Sequence, residues 1–165
     1  MAGILPVAIN NEKIYFLLSR ETVDYKWKDS GKWSDFGGSI EKGETLKRTA
    51  IREAYEETMG MLGNEKKLEK RINENLIKKY RVNNYTTYVI QIDYDRYFVR
   101  NFRRKYKKVL NNEKTKHLIY EKNGLYEKDM VKWIEIKDIK KFYPKLRHWY
   151  KYVLQAIVKD FNKKV

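Results

Sequence analysis

Three glutamates raise the first chemical question. Glu53, Glu56 and Glu57 stand at i, i+3 and i+4 within residues 45–59, where Leu46, Ala50 and Ala54 recur every fourth residue as one face of a helix. On that helix the three carboxylates project within about one turn, and each exposed like-charge pair costs a few tenths of a kcal/mol, roughly 0.2–0.5. A cation or plain solvation must offset the repulsion. Glu44 precedes the helix, and the Gly37-Gly38 turn can bring backbone carbonyls to the same end. The donors are then all oxygen, which favours hard ions, Mg²⁺ or Mn²⁺, over zinc or copper. Arg52 is four residues from both Arg48 and Glu56, so it can pair with a carboxylate and orient it. A solvated acidic helix face would show the same local spacing.

Other chemistries lack their residues. The chain has no Cys, which excludes disulfide scaffolds, Cys-based zinc sites and thiol nucleophiles, and fits a reducing, cytoplasmic setting. His117 and His148 are the two histidines; no Ser-His-Asp arrangement is evident, and both read as surface or packing residues.

The elements that must position the glutamates can be read from pattern. Residues 4–9 and 13–20 are β-prone runs joined through Asn10-Asn11-Glu12, and 33–36 is a short strand that stops at Gly37-Gly38. After the glutamate helix, 66–79 reads as helical in part and 85–93 as a strand. Residues 97–110 form a basic amphipathic helix, with Phe98, Phe102, Tyr106 and Leu110 on its apolar side. A late strand, 130–136, and a closing helix, 145–162, complete the order β-β-β-α-β-α-β-α, which implies a mixed sheet covered by helices. With 165 residues, 42% hydrophobic and 36% charged, and with no repeat or Ser/Gly/Pro-rich linker, one domain over 1–165 is expected. The apolar run 4–9 is far short of the about 18–20 residues that span a bilayer, so no membrane association is expected.

The string Gly38-Ser-Ile-Glu-Lys-Gly-Glu44, seven residues, then Arg52-Glu53-Ala54-Tyr55-Glu56-Glu57 resembles the signature of the Nudix hydrolases. Gly38, Glu44, Arg52, Glu53, Glu56 and Glu57 all match at the family's spacing; Met59 stands where the family has Gly, and Gly60 follows one place late. The resemblance implies an α/β/α sandwich with a mixed central sheet. It implies that Glu53, Glu56, Glu57 and the Gly37 carbonyl bind Mg²⁺ or Mn²⁺, that Arg52 orients the carboxylates, and that Glu44 assists beside the metal. A further acidic residue is expected from outside the signature: Glu127 is the choice, with Glu121 and Asp129 as competitors. The reaction implied is hydrolysis of a diphosphate linkage in a nucleoside diphosphate joined to another group.

Charge narrows the substrate. Residues 1–65 carry 9 Lys and Arg against 11 Asp and Glu, whereas 66–165 carry 28 against 11, a basic remainder suited to a polyanion. The expectation is the 5′ cap of RNA, with Arg100, Arg103, Arg104, Lys107 and Lys108 tracking its phosphates. Tyr25, Trp27, Tyr85 and Phe98 are the aromatic residues considered as a platform for the cap base, Trp27 first among them. Residues 33–38, and Lys132-Trp133 with 146–149, are also similar to Nudix proteins of large DNA viruses, some of which act on caps. Inositol pyrophosphates and free (di)nucleotides are the alternatives, and a non-catalytic RNA-binding module is the alternative of another class.

Overall fold

The computed structural model describes residues 1–23, 26–121 and 124–163. Strands β1 (Ala2–Asn10) and β2 (Lys13–Glu21) form a hairpin whose two turn residues, Asn11 and Glu12, both have positive φ (49° and 61°), the geometry that matches strand twist. Beyond the hairpin the strands part. β3 (Trp33–Ser34) pairs with β2 and β4 (Phe36–Gly38) pairs with β1, so one chain segment fills the gap and crosses from one neighbour to the other at Asp35. The single strand expected over 33–36 is therefore two, split by this crossing.

Helix α1 (Leu46–Glu57) starts at Thr45, whose hydroxyl accepts the Arg48 N–H at 3.2 Å. Helix α2 (Glu65–Asn75) is capped in the same way by Asn64. It ends earlier than the 66–79 pattern implies, because Leu76 begins β5 (Leu76–Val82), which pairs antiparallel with β6 (Tyr85–Gln91) across a tight turn at Asn83, φ 53°. Strand pairing has overridden the helix propensity of a Lys-rich segment. Helix α3 (Phe98–Leu110) follows as expected, then β7 (Lys128–Glu135), which starts two residues before the predicted 130. A short helix α4 (Ile139–Phe142) precedes α5 (Tyr150–Asn162). The closing helix begins at 150 rather than 145 because Leu146 bridges to Trp33 and the Arg147 N–H donates to the Trp33 carbonyl at 2.9 Å.

The sheet order is β3-β2-β1-β6-β5, with β4 on β1 and β7 on β2; the β1–β6 pair is parallel and the rest antiparallel. Alternation along the central strands explains the three layers. Ile4, Leu17, Tyr88 and Ile90 pack under α1, α2 and α3, while Leu5, Phe16, Leu18 and Val89 pack under α4 and α5. This is the mixed-sheet α/β/α sandwich. Gly3 and Gly37 are opposed in the ladder, and the Tyr85 hydroxyl passes over both where any Cβ would collide with it. Among the described residues no helix is long and apolar enough to cross a membrane.

Candidate functional site

Ala50 and Ala54 are fully buried against β1 and β4, and their small size lets α1 lie close to the sheet. That approach sets the polar side of α1 over the Gly37-Gly38 strand. Arg52 is the hub there. Its Nε donates to Glu44 Oε1 at 2.8 Å, Nη1 donates to Glu53 and Glu56 at 3.1 Å each, and Nη2 donates to the Ser39 carbonyl at 3.0 Å and to Glu44 Oε2 at 3.1 Å. The hydrogen bond from Arg52, with others from the Glu41 N–H and the Thr49 hydroxyl, pulls the Glu44 pKa down to about 2. Burial pushes Glu53 up to about 7 despite Arg52, and the charges of Glu56 and Glu127 add to the shift. Glu56 is raised, by burial first, with Glu127 again contributing.

Glu57 lies deeper and is 2% exposed. Its Oε2 accepts the Gly37 N–H at 2.8 Å, and its Oε1 lies 3.0 Å from Lys128 Nζ. A strand residue that turns its N–H out of an antiparallel ladder turns its carbonyl the same way, so the Gly37 carbonyl shares this side. Burial raises the Glu57 pKa, partly offset by Lys128. Lys128 itself is wholly buried and also contacts Glu21, which accepts from Arg147 at 3.1 Å. Burial alone would lower the Lys128 pKa, but Glu57 and Glu21 together lift it to about 12.

Arg52, Glu53, Glu56, Glu57, Glu21 and Arg147 line one open cleft of about 430 Å³, with Lys128 and Glu44 outside its lining. Its lining includes Glu53, Glu56 and Glu57 beside Gly37 and Gly38, together with Trp27, Arg147, Gly124 and Glu127. The Arg147 guanidinium lies 5.3 Å from the Trp27 ring and 5.0 Å from the Trp149 ring, and it is held by Glu21 and Asp29. A Cβ on Gly38 would strike the Glu53 carboxylate, and one on Gly124 would strike Glu56, so bare backbone leaves those oxygens room.

The donors suit a hard divalent ion. All are carboxylate or carbonyl oxygens; burial is the main reason the Glu53 and Glu56 pKa values rise, and the charge of Glu127 adds to both, a repulsion that a cation would relieve. Among the described residues no three such side chains converge as a ready ligand group; Arg52 pairs with Glu53 and Glu56, and Lys128 with Glu57.

The predicted residues divide by place. Glu53, Glu56, Glu57, Arg52, Gly37, Glu127 and Trp27 line the cleft, with Glu44 directly behind Arg52. Asp129 instead pairs with Arg20 at 2.7 Å, and Glu121 is exposed on the preceding segment. None of Arg100, Arg103, Arg104, Lys107 and Lys108 lines the cleft: Arg103 is spent on the Asp129 carbonyl at 2.8 Å, and the other four are exposed on α3 opposite its buried Phe98, Phe102 and Tyr106. Tyr85 and Phe98, considered as base platforms, are 3% and 7% exposed and serve the core; Tyr25 lies outside the described residues. The sequence pattern assigns no site role to Lys128, Glu21, Arg147 or Asp35. Glu21, a charge closing an apolar strand, was the one signal available for that layer.

The sequence matches the NUDIX domain family over residues 2–157. Among solved structures, a C. elegans Ap4A hydrolase in a binary complex aligns with a TM-score of 0.55 at 15% identity, over 98% of this chain and 93% of that one. A bifunctional NMN adenylyltransferase/ADP ribose pyrophosphatase from Francisella tularensis, complexed with AMP and a Mn ion, aligns with a TM-score of 0.54 at 16% identity, over 96% of this chain and 41% of that one. Protein L534 of Acanthamoeba polyphaga mimivirus is 45% identical over 58 residues, which span 34% of this chain and 18% of that protein. With Glu53, Glu56 and Glu57 of the signature lining one cleft and the family match running nearly end to end, the chain belongs to the Nudix hydrolase family.

Proposed function

We propose that the chain is a divalent-metal-dependent pyrophosphohydrolase acting on a nucleoside diphosphate joined to another group, and that its substrate is the 5′ cap of RNA. The observation that carries the reaction class is that Glu53, Glu56 and Glu57 of α1 line the same cleft as Trp27, Arg147 and Glu127. Glu53, Glu56 and the Gly37 carbonyl would hold Mg²⁺ or Mn²⁺, with Glu57 behind them. The chemistry such an ion would supply, when bound, is neutralisation of phosphate oxygens and a lowered pKa for water. Arg52 holds Glu53 and Glu56 on a shared nitrogen and is itself tied to Glu44 and Ser39, so these carboxylates are oriented before substrate arrives. Glu127, exposed just before β7, takes the proton that the attacking water gives up. The water oxygen bonds to phosphorus, the bridging P–O bond breaks, and the leaving phosphate oxygen keeps the electron pair.

RNA is favoured by α3. Arg100, Arg104, Lys107 and Lys108 share the stripe opposite its buried face, on a helix that Arg103 ties to β7 two residues past Glu127. That stripe offers a row of exposed cations suited to a chain of phosphates. Trp27, backed by Arg147, supplies the stacking face for a base. The solved Ap4A hydrolase and ADP ribose pyrophosphatase structures favour a second reading, a free dinucleotide or nucleotide sugar. Turnover with Mg²⁺ or Mn²⁺ on capped RNA, Ap4A, ADP-ribose and an inositol pyrophosphate, beside Glu56→Gln, separates these. Cap cleavage that the substitution abolishes is the expected result. Equal turnover in Glu56→Gln refutes the mechanism, and RNA binding without hydrolysis of any substrate would make the chain a binding module.

A further inference from the structure

The start of β7 places a lysine where no local rule predicts one. Arg20 of β2 faces Met130, and unbroken register would next oppose Glu21 to Asp129, two carboxylates directly across a ladder. The ladder instead slips by one residue, so Glu21 faces Lys128 while Asp129 takes the Arg20 guanidinium at 2.8 and 2.7 Å. The slip delivers a full positive charge beneath Glu57, with Lys128 Nζ 3.0 Å from Oε1. The rest of the layer is committed too: the Gly37 N–H holds Glu57 Oε2, and Arg147 shares Glu21 with Lys128. A lysine taken wholly out of water is costly unless its charge is matched, and two carboxylates match this one.

We propose that Lys128 is a positioning residue for Glu57: an internal counter-ion that fixes this carboxylate against β4 without metal and competes with a divalent ion for Glu57 Oε1. The inference rests on the reading that the α1 glutamates bind divalent metal, and is independent of which diphosphate is cleaved. Glu53 and Glu56 share one nitrogen of Arg52 between them, whereas Glu57 has the Gly37 amide to itself and shares the Lys128 ammonium with Glu21, which Arg147 also serves. Glu53 and Glu56 therefore take an ion first, and Glu57 joins only against Lys128.

The test is Mn²⁺ titration of the full chain without substrate, followed by the free-Mn²⁺ electron paramagnetic resonance signal, together with thermal unfolding with and without Mn²⁺. Lys128→Met should bind Mn²⁺ about tenfold tighter or more, since a repelling charge beside the site is gone. Its metal-free melting temperature should fall, and Mn²⁺ should recover more of it than it adds to the wild type. Lys128→Met/Glu21→Gln removes one charge of each sign, which protects folding, and should show the same tightening; Lys128→Arg keeps the charge and should stay near wild-type affinity. Wild-type or weaker Mn²⁺ affinity in both methionine variants overturns the proposal, because a merely structural lysine would shift melting equally with and without metal. Mn²⁺ binding by none of the proteins, wild type included, overturns that metal-binding reading itself.

Discussion

Asp35 offers a stability test whose size follows from its surroundings. The side chain is fully buried at the crossing between β3 and β4; Oδ1 accepts the Tyr85 hydroxyl at 2.6 Å and Oδ2 accepts the Thr87 hydroxyl at 3.1 Å. Burial raises its pKa from 3.8 to about 7, against the opposing pull of these two hydrogen bonds. A carboxyl whose folded pKa is raised is easier to ionise in the unfolded chain. Folding therefore pays a penalty that begins near the unfolded pKa and is complete above the folded one. A shift of about three units corresponds to roughly 4 kcal/mol above pH 7, of which about 2–3 kcal/mol develops between pH 5 and pH 8. Asp35→Asn keeps the shape and the acceptor for Tyr85 but cannot ionise. Urea unfolding of metal-free protein at pH 5, 6, 7 and 8 should show the substitution costing stability at pH 5 and losing that disadvantage by pH 8. A difference between the two proteins that stays constant across this range would refute the assignment of the carboxyl as the titrating group.

Arg52→Met removes the cation shared by Glu44, Glu53 and Glu56, whose side chains are 12%, 11% and 20% exposed. Breaking such a largely buried arrangement should cost about 3 kcal/mol in metal-free urea unfolding, and Mn²⁺ should restore part of it. Met59→Gly relieves a left-handed backbone, φ 54°, but empties a side chain that is 7% exposed in the core. Strain relief of about 1 kcal/mol against a cavity cost of about 2–5 kcal/mol predicts net destabilisation, read by thermal melting. Trp27→Ala should raise KM about tenfold with kcat little changed if a base stacks there. RNA affinity should fall with salt with a log–log slope of about −3, one contribution from each of the four exposed α3 cations, and an unchanged slope in Arg100→Glu/Arg104→Glu would remove α3 from the RNA path.

Much of the site was legible because its chemistry is local. Glu53, Glu56 and Glu57 share a helix face by arithmetic alone, and Arg52 reaches Glu56 by the same spacing, so their company needed no tertiary knowledge. Glu127 was harder, since a loop residue has no periodicity, yet its place just before a strand brought it to the same cleft. The α3 cations looked like part of the same site because the helix is plainly basic. The structure turns that stripe to solvent and uses Arg103 as a strut. Tyr85 looked available because a strand tyrosine can face either way; its hydroxyl goes instead to Asp35.

Periodicity and spacing determined, without any coordinates, that a helix presents three carboxylates beside a glycine turn, and that mixed strands and helices carry it. Contacts between residues distant in sequence decided the rest. The crossing at Asp35, the one-residue slip that sets Lys128 rather than Asp129 against Glu21, and the contacts of Arg147 with the Trp27 and Trp149 rings each depend on register and on burial of charge. Side-chain alternation along a strand is visible in a sequence; the neighbour across the ladder is not, because pairing energy is shared between two strands and neither one records it alone.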